Sequence, residues 1–169
     1  MLRAGLLLLF STLLLAAYAQ RPPAKPAEKQ LTPEERYQKR ITTDFLDGQY
    51  IPKDLADAFV TLNEVFKPDT RAQFAQMSEQ EATRKVMLHR WIVHNWGLYG
   101  GSRFSKYLYD IGISHPDDQA LFVMVTYHRN LNKVPLDVKP LVERFKARQA
   151  ERMEDRMGKV IRDTLERGR

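Results

Sequence analysis

The side chains with the widest chemical reach in this 169-residue chain are four histidines, His89, His94, His115 and His128, with Asp117 and Asp118 beside the third. Three or four such groups converging on one point would make a zinc site. The spacing argues against convergence. His89 and His94 lie about 140° apart on a helix of 3.6 residues per turn, and no HExxH or HxxxH spacing occurs. His89 and His128 also fall on apolar stripes, the common setting of a hydrogen-bonded core histidine. No metal and no other cofactor is expected. His115-Pro116-Asp117-Asp118 offers a second chemistry, an imidazole beside two carboxylates for proton transfer. The same residues also read as a helix start, with Ser114 as cap, Pro116 in the first turn and the aspartates complementing the positive end of the helix dipole. That reading accounts for everything except His115.

A second group runs through Asn95-Trp96-Gly97-Leu98-Tyr99-Gly100-Gly101-Ser102-Arg103. Gly-Gly-Ser before a helix could present backbone N–H groups to a phosphate or carboxylate, with Arg103 assisting. It lacks the Gly-Lys-Ser/Thr ending of a P-loop and no strand precedes it, so nucleotide binding is not expected. A tight turn that packs two aromatics against the next helix is the simpler account, although an aromatic-plus-arginine loop also suits a peptide or a sugar. Other catalytic devices are missing. There is no GxSxG elbow for Ser102, and no glutamate isolated among aromatics, where a muramidase would raise a carboxyl pKa. With no cysteine in the chain, thiol catalysis, CxxC redox chemistry and cysteine-based zinc sites drop out together. The candidate binding residues are therefore Trp96, Tyr99, Arg103, His115, Asp117 and Asp118, and none is assigned as catalytic or metal-binding.

The elements that must position these residues are helical. Thr32-Pro33-Glu34-Glu35 is a helix start, with an expected helix running to about Asp47 and ended by Gly48. Leu55, Phe59, Leu62 and Phe66 fall on helical spacing after Tyr50-Ile51-Pro52, and a short helix follows near Thr70–Met77. Ser78-Glu79-Gln80-Glu81 is a capping box for a helix expected to reach about Asn95, with Ala82, Val86, His89, Val93 and Trp96 as its stripe and Leu88 and Ile92 beside it. Ser102 caps a short helix carrying Phe104, Tyr107, Leu108 and Ile111. The next, from Ser114, has a broad apolar face through Ala120, Leu121, Met124, Tyr127, His128 and Leu131. A long final helix follows Val134-Pro135-Leu136-Asp137. Leu141 and Phe145 give it a convincing early stripe, while Met153, Met157, Val160, Ile161 and Leu165 continue sparsely amid dense charge. No alternating strand, internal repeat or sustained heptad is evident.

The termini carry different information. Arg3, the apolar run Ala4–Ala17 and Ala17-Tyr18-Ala19 form an export signal with cleavage expected before Gln20. The apolar run is shorter than the roughly 20 residues a membrane-spanning helix needs, so no transmembrane segment is expected after cleavage. Residues 20–31 hold three prolines and few apolar groups and read as a disordered linker. The formal net charge of +6 is diffuse, +1 over residues 49–142 and +3 over 143–169, with no concentrated basic face. Nucleic acid is not an expected partner.

Residues 49–133 resemble a family of small bacterial domains of unknown function. The resemblance rests on Tyr50-Ile51-Pro52 with Leu55, Met77-Ser78-Glu79-Gln80-Glu81-Ala82, the Asn95–Arg103 motif, His115-Pro116-Asp117-Asp118 and Tyr127-His128-Arg129. Tyr99 stands where tryptophan is common in that family. The resemblance implies no activity. The sequence as a whole describes an all-α protein: signal peptide 1–19, linker 20–31, N-terminal helix 32–48, compact helical domain 49–145 and charged helical extension 146–169. The expected role is an exported, periplasmic or secreted module that binds a protein or another cell-envelope component. The alternative is a small metal-dependent or acid–base hydrolase using His115, Asp117 and Asp118. A structural envelope protein whose polar arms contact peptidoglycan or anionic lipid is a third.

Overall fold

A computed structural model describes residues 31–167. The expected signal peptide, and the linker up to residue 30, lie outside the described residues. From Pro33 onward the chain forms one compact unit that is helical apart from a single two-stranded hairpin. Helix α1 spans Pro33–Thr42, strands β1 Phe45–Leu46 and β2 Gln49–Tyr50, then α2 Leu55–Val65, α3 Pro68–Gln76, α4 Glu79–Thr83, α5 Val86–Asn95, α6 Arg103–Asp110, α7 Pro116–Leu131 and α8 Val138–Arg167.

The first helix ends five residues before the expected Asp47. Asp47 and Gly48 both have positive φ, 50° and 79°, and join β1 to β2 as a two-residue turn with Leu46 opposite Gln49. Asp-Gly is the residue pair that such a type I′ hairpin turn demands, so Gly48 closes a hairpin rather than a helix.

Helix α7 is the axis of the core. Ten consecutive or near-consecutive residues from Asp118 to His128 are buried, so this helix is enclosed on all sides and not on one stripe. Around it pack Leu55, Phe59 and Leu62 from α2, Phe74 from α3, Ala82 from α4, Leu88 and Ile92 from α5, Phe104 and Leu108 from α6, and Leu141, Val142 and Phe145 from α8. Phe59 and Phe74 lie against the Tyr127 ring with centroids 5.9 Å away in each case.

The expected single helix from Ser78 to Asn95 is two. The capping box forms as read, with the Ser78 backbone N–H donating to Glu81 at 2.9 Å and the Glu81 N–H to Ser78 Oγ at 3.2 Å. After Thr83 the helix breaks at Arg84 and Lys85. The break resets the helical phase: Leu88, Ile92 and Trp96 turn inward with Ala82, while Val86 and Met87 are exposed. Helix α8 is unbroken for 30 residues, about 45 Å, and passes through the expected boundary at 145/146. Beyond Phe145 it is still fastened, since Gln149 Nε2 donates to Ser114 Oγ at 2.6 Å and Arg152 pairs with Asp118. From Met153 onward its side chains are almost all exposed.

Candidate functional site

The six residues singled out from sequence divide three ways. Trp96, Arg103 and Asp118 are used by the fold. Trp96 has no exposed surface and sits edge-on to Trp91 and Phe104, 5.7 and 5.0 Å between centroids. Arg103 Nε donates to the Ile51 carbonyl at 2.7 Å, its Nη1 pairs with Asp44, and its guanidinium lies 5.2 Å from the Tyr50 ring. It thereby ties α6 to the hairpin through Nε and Nη1, while its Nη2 is buried with no hydrogen-bond partner among the described residues. Asp118 is 1% exposed and serves as the inner half of the Arg152 pair.

His115 is the cap. Its Nδ1 accepts the Asp117 backbone N–H at 3.3 Å, and its own φ and ψ are extended. The residue that helix capping left unexplained is itself the N-cap of α7, while Ser114 bonds instead to Gln149. An imidazole nitrogen can play this part as a hydroxyl or carboxylate oxygen does, by offering a lone pair to a first-turn N–H that has no helical partner.

The Gly-Gly-Ser loop also has a different polarity from an anion cradle. Arg40 of α1 donates through Nε to the carbonyls of Gly100 at 3.0 Å and Gly101 at 2.9 Å. The loop therefore offers C=O groups to a cation of the same chain. A side chain on Gly100 would begin 2.6 Å from the Arg40 guanidinium, so the flexible end of Arg40 would have to shift to admit one. Ser102 caps α6 as expected, accepting the Ser105 N–H at 3.1 Å.

Tyr99 and Asp117 remain, and the structure brings them together. The Tyr99 hydroxyl donates to Asp117 Oδ2 at 3.0 Å, and this bond, more than burial, holds the phenol pKa above its ordinary value. His89 joins them, its Nε2 3.7 Å from Asp117 Oδ1 and 3.3 Å from the Asp117 carbonyl, and His115 Nδ1 is 3.8 Å from Oδ2. Asp117 thus gathers two imidazoles and a phenol at the start of α7. His128 is elsewhere, buried with Nε2 2.8 Å from the Met77 carbonyl. No group of three or more metal-ligating side chains among the described residues is arranged to hold an ion.

This cluster forms one wall of a surface groove of about 670 Å³ lined by His89, Trp91, His94, Asn95, Tyr99 and Asp117. Two further clefts adjoin it. One of about 410 Å³ shares His94, Asn95 and Tyr99 and reaches Arg40 and Leu46. The other, about 380 Å³, shares Met87 and Trp91 and is floored by Phe66, Phe74 and Leu88. Together they follow the outer side of α5 from an apolar end at Met87 to a polar end at Tyr99. Sequence reading missed His89, Trp91, His94 and Met87 as groove residues. The available signal was the face of α5 that lies off the expected apolar stripe and carries Met87, Trp91 and His94; His89 alone of the four was expected on the stripe.

A domain of unknown function (DUF6794) is found at residues 51–131, from Ile51 to the last residue of α7. The Asp117 cluster and α5 both lie inside that span, whereas α1, the hairpin and α8 lie outside it. No curated protein and no solved structure matches the chain.

Proposed function

We propose that the domain is a binding module that takes an extended peptide segment of a cell-envelope partner along the outer side of α5. The observation that carries this reading is the run of three adjoining clefts, apolar at Met87 and Trp91 and polar at His94, Asn95, Tyr99 and Asp117. Binding sites combine an apolar floor with a few placed polar groups, and aromatic side chains anchor peptides well because they bury much area for little lost rotamer freedom. Met87 is 79% exposed and Tyr99 65%, so both are available as anchors. The Asp117 carboxylate, already oriented by Tyr99 and the α7 start, is suited to a peptide N–H or a lysine or arginine of the partner. Placement in the envelope is supported by the export signal read at residues 1–19.

Acid–base hydrolysis is a second reading, favoured by the His89–Asp117 approach rather than by Asp118, which the Arg152 pair occupies. Turnover of an ester or peptide panel that disappears in His89→Ala would support it.

Photo-crosslinking in the native cell tests the binding reading. A benzophenone amino acid at Met87 or Tyr99 should give the same discrete protein adduct, and one at Tyr109, exposed on α6 outside these clefts, should not. Equal adducts from all three positions, or none from the first two, would overturn it.

A further inference from the structure

Beyond Arg152 the last helix carries Met153, Met157, Val160, Ile161 and Leu165, each more than half exposed. At 100° per residue Met153, Met157 and Val160 are offset by roughly 100° from Leu141 and Phe145, and Ile161 and Leu165 by more, so the stripe does not continue the face that packs on the core. Met153, Met157 and Val160, continued by the polar Thr164 at intervals of four, three and four and with Ile161 beside them, have the spacing of two helices lying along each other.

We infer that this segment pairs with the same segment of a second copy of the chain, antiparallel, about a two-fold axis between residues 158 and 159. In that register Met157 packs against the partner's Val160 and Met153 against the partner's Thr164, each contact occurring twice. Arg156 and Asp163 flank the seam on the same side. The antiparallel register sets Arg156 opposite the partner's Asp163, again twice, whereas a parallel pairing in register would set Arg156 opposite the partner's Ile161. Neither Arg156 nor Asp163 is held in an ion pair among the described residues. Charge complementarity of this kind selects partner and orientation more than it adds affinity.

Length supports the same occupant. The register brings Arg167 alongside the partner's Ala150, so the seam through Met153, Met157 and Val160 is covered along its length up to the point where Arg152 fastens the helix to the domain, with Leu165 left outside it. The free segment of residues 153–167 is only about 22 Å long, well short of a standard interface of ~800 Å² per partner. The dimer is therefore weak and reversible. None of its residues belongs to the groove along α5.

The test uses the chain from Gln20, the expected processed form, in sedimentation equilibrium up to about 1 mM, the range in which weak association is resolved. Self-association is expected, weakened roughly 5- to 30-fold by Arg156→Asp or Asp163→Arg alone and restored when both are combined. The absence of cysteine permits an orientation test. Met153→Cys and Thr164→Cys proteins should form a mixed disulfide when combined and little disulfide separately, because identical positions lie about 16 Å apart along the antiparallel seam. A monomer throughout the range, a double charge swap no better than either single one, or efficient crosslinking of Met153→Cys with itself would overturn the proposal. Vesicles of anionic lipid that take up the protein while it stays monomeric would assign the stripe to a membrane surface instead, with the same consequence.

Discussion

Tyr127 sits where α7 meets α2 and α3, fully enclosed, with its hydroxyl donating to Asn63 Oδ1 at 2.9 Å. Burial disfavours the phenolate, and the pKa is pushed up to about 12, with the charge of Arg71 opposing the shift only in part. An acid whose folded pKa exceeds its unfolded value stabilises the fold below the unfolded value, and that contribution is lost as pH rises through the folded one. For Tyr127 the window runs from about pH 10 to about pH 12, and the loss is roughly 2–3 kcal/mol. Tyr127→Phe should cost about 1 kcal/mol at neutral pH through the lost hydrogen bond, yet fall less steeply above pH 10. Urea unfolding of the two proteins across that range reads the difference directly. Parallel curves would mean that the phenol ionises in place without opposing the fold.

At the scale of elements, the small hairpin is the part that local chemistry fixes most tightly. Nothing lies within 4 Å of a side chain built on Gly48, so space does not require glycine; the positive φ does. Gly48→Ala should therefore cost about 1 kcal/mol by chemical denaturation, with Asp47-Gly48 replaced by Asn-Gly close to neutral. A loss of several kcal/mol would show that the hairpin holds more of the fold together than its own turn. The same region shows what could be read in advance. Asp-Gly is a strong hairpin signal, but the flanking Phe-Leu and Gln-Tyr are too short to show alternation, and Gly48 also fits a helix stop. The helix caps at Ser78 and Ser102 were legible because each depends on one side chain and an N–H three residues away. The break at Arg84-Lys85 was not, because neither residue is a helix breaker; the burial of Leu88, Ile92 and Trp96 against α7 sets the phase, and that contact is tertiary. For the same reason Tyr99 and Asp117 could be named from their types, while His89 and His94 could not be placed beside them.

At the scale of the whole molecule, the question is where the compact unit ends. Apolar periodicity alone marks Phe145 as the last core residue of α8 and places the boundary at 145/146. Two polar fastenings lie beyond it: Gln149 to Ser114 and Arg152 to Asp118. The second matters more, because Asp118 is almost wholly buried and its Oδ1 has no partner among the described residues. Without Arg152 a carboxylate at the start of the central helix would be left enclosed and unpaired, at a cost of about 3 kcal/mol. A chain ending after Arg152 should accordingly melt within a few degrees of the parent, since the residues removed bury almost nothing, whereas one ending after Phe145 should melt roughly 10 °C lower. Asp118→Asn in the shorter chain separates the two contributions. The amide carries no charge to strand, so it should recover part of the loss, and the remainder measures the packing and hydrogen bonds of residues 146–152. If the two truncations melt alike, the fastenings are surface contacts and the core closes at Phe145 after all.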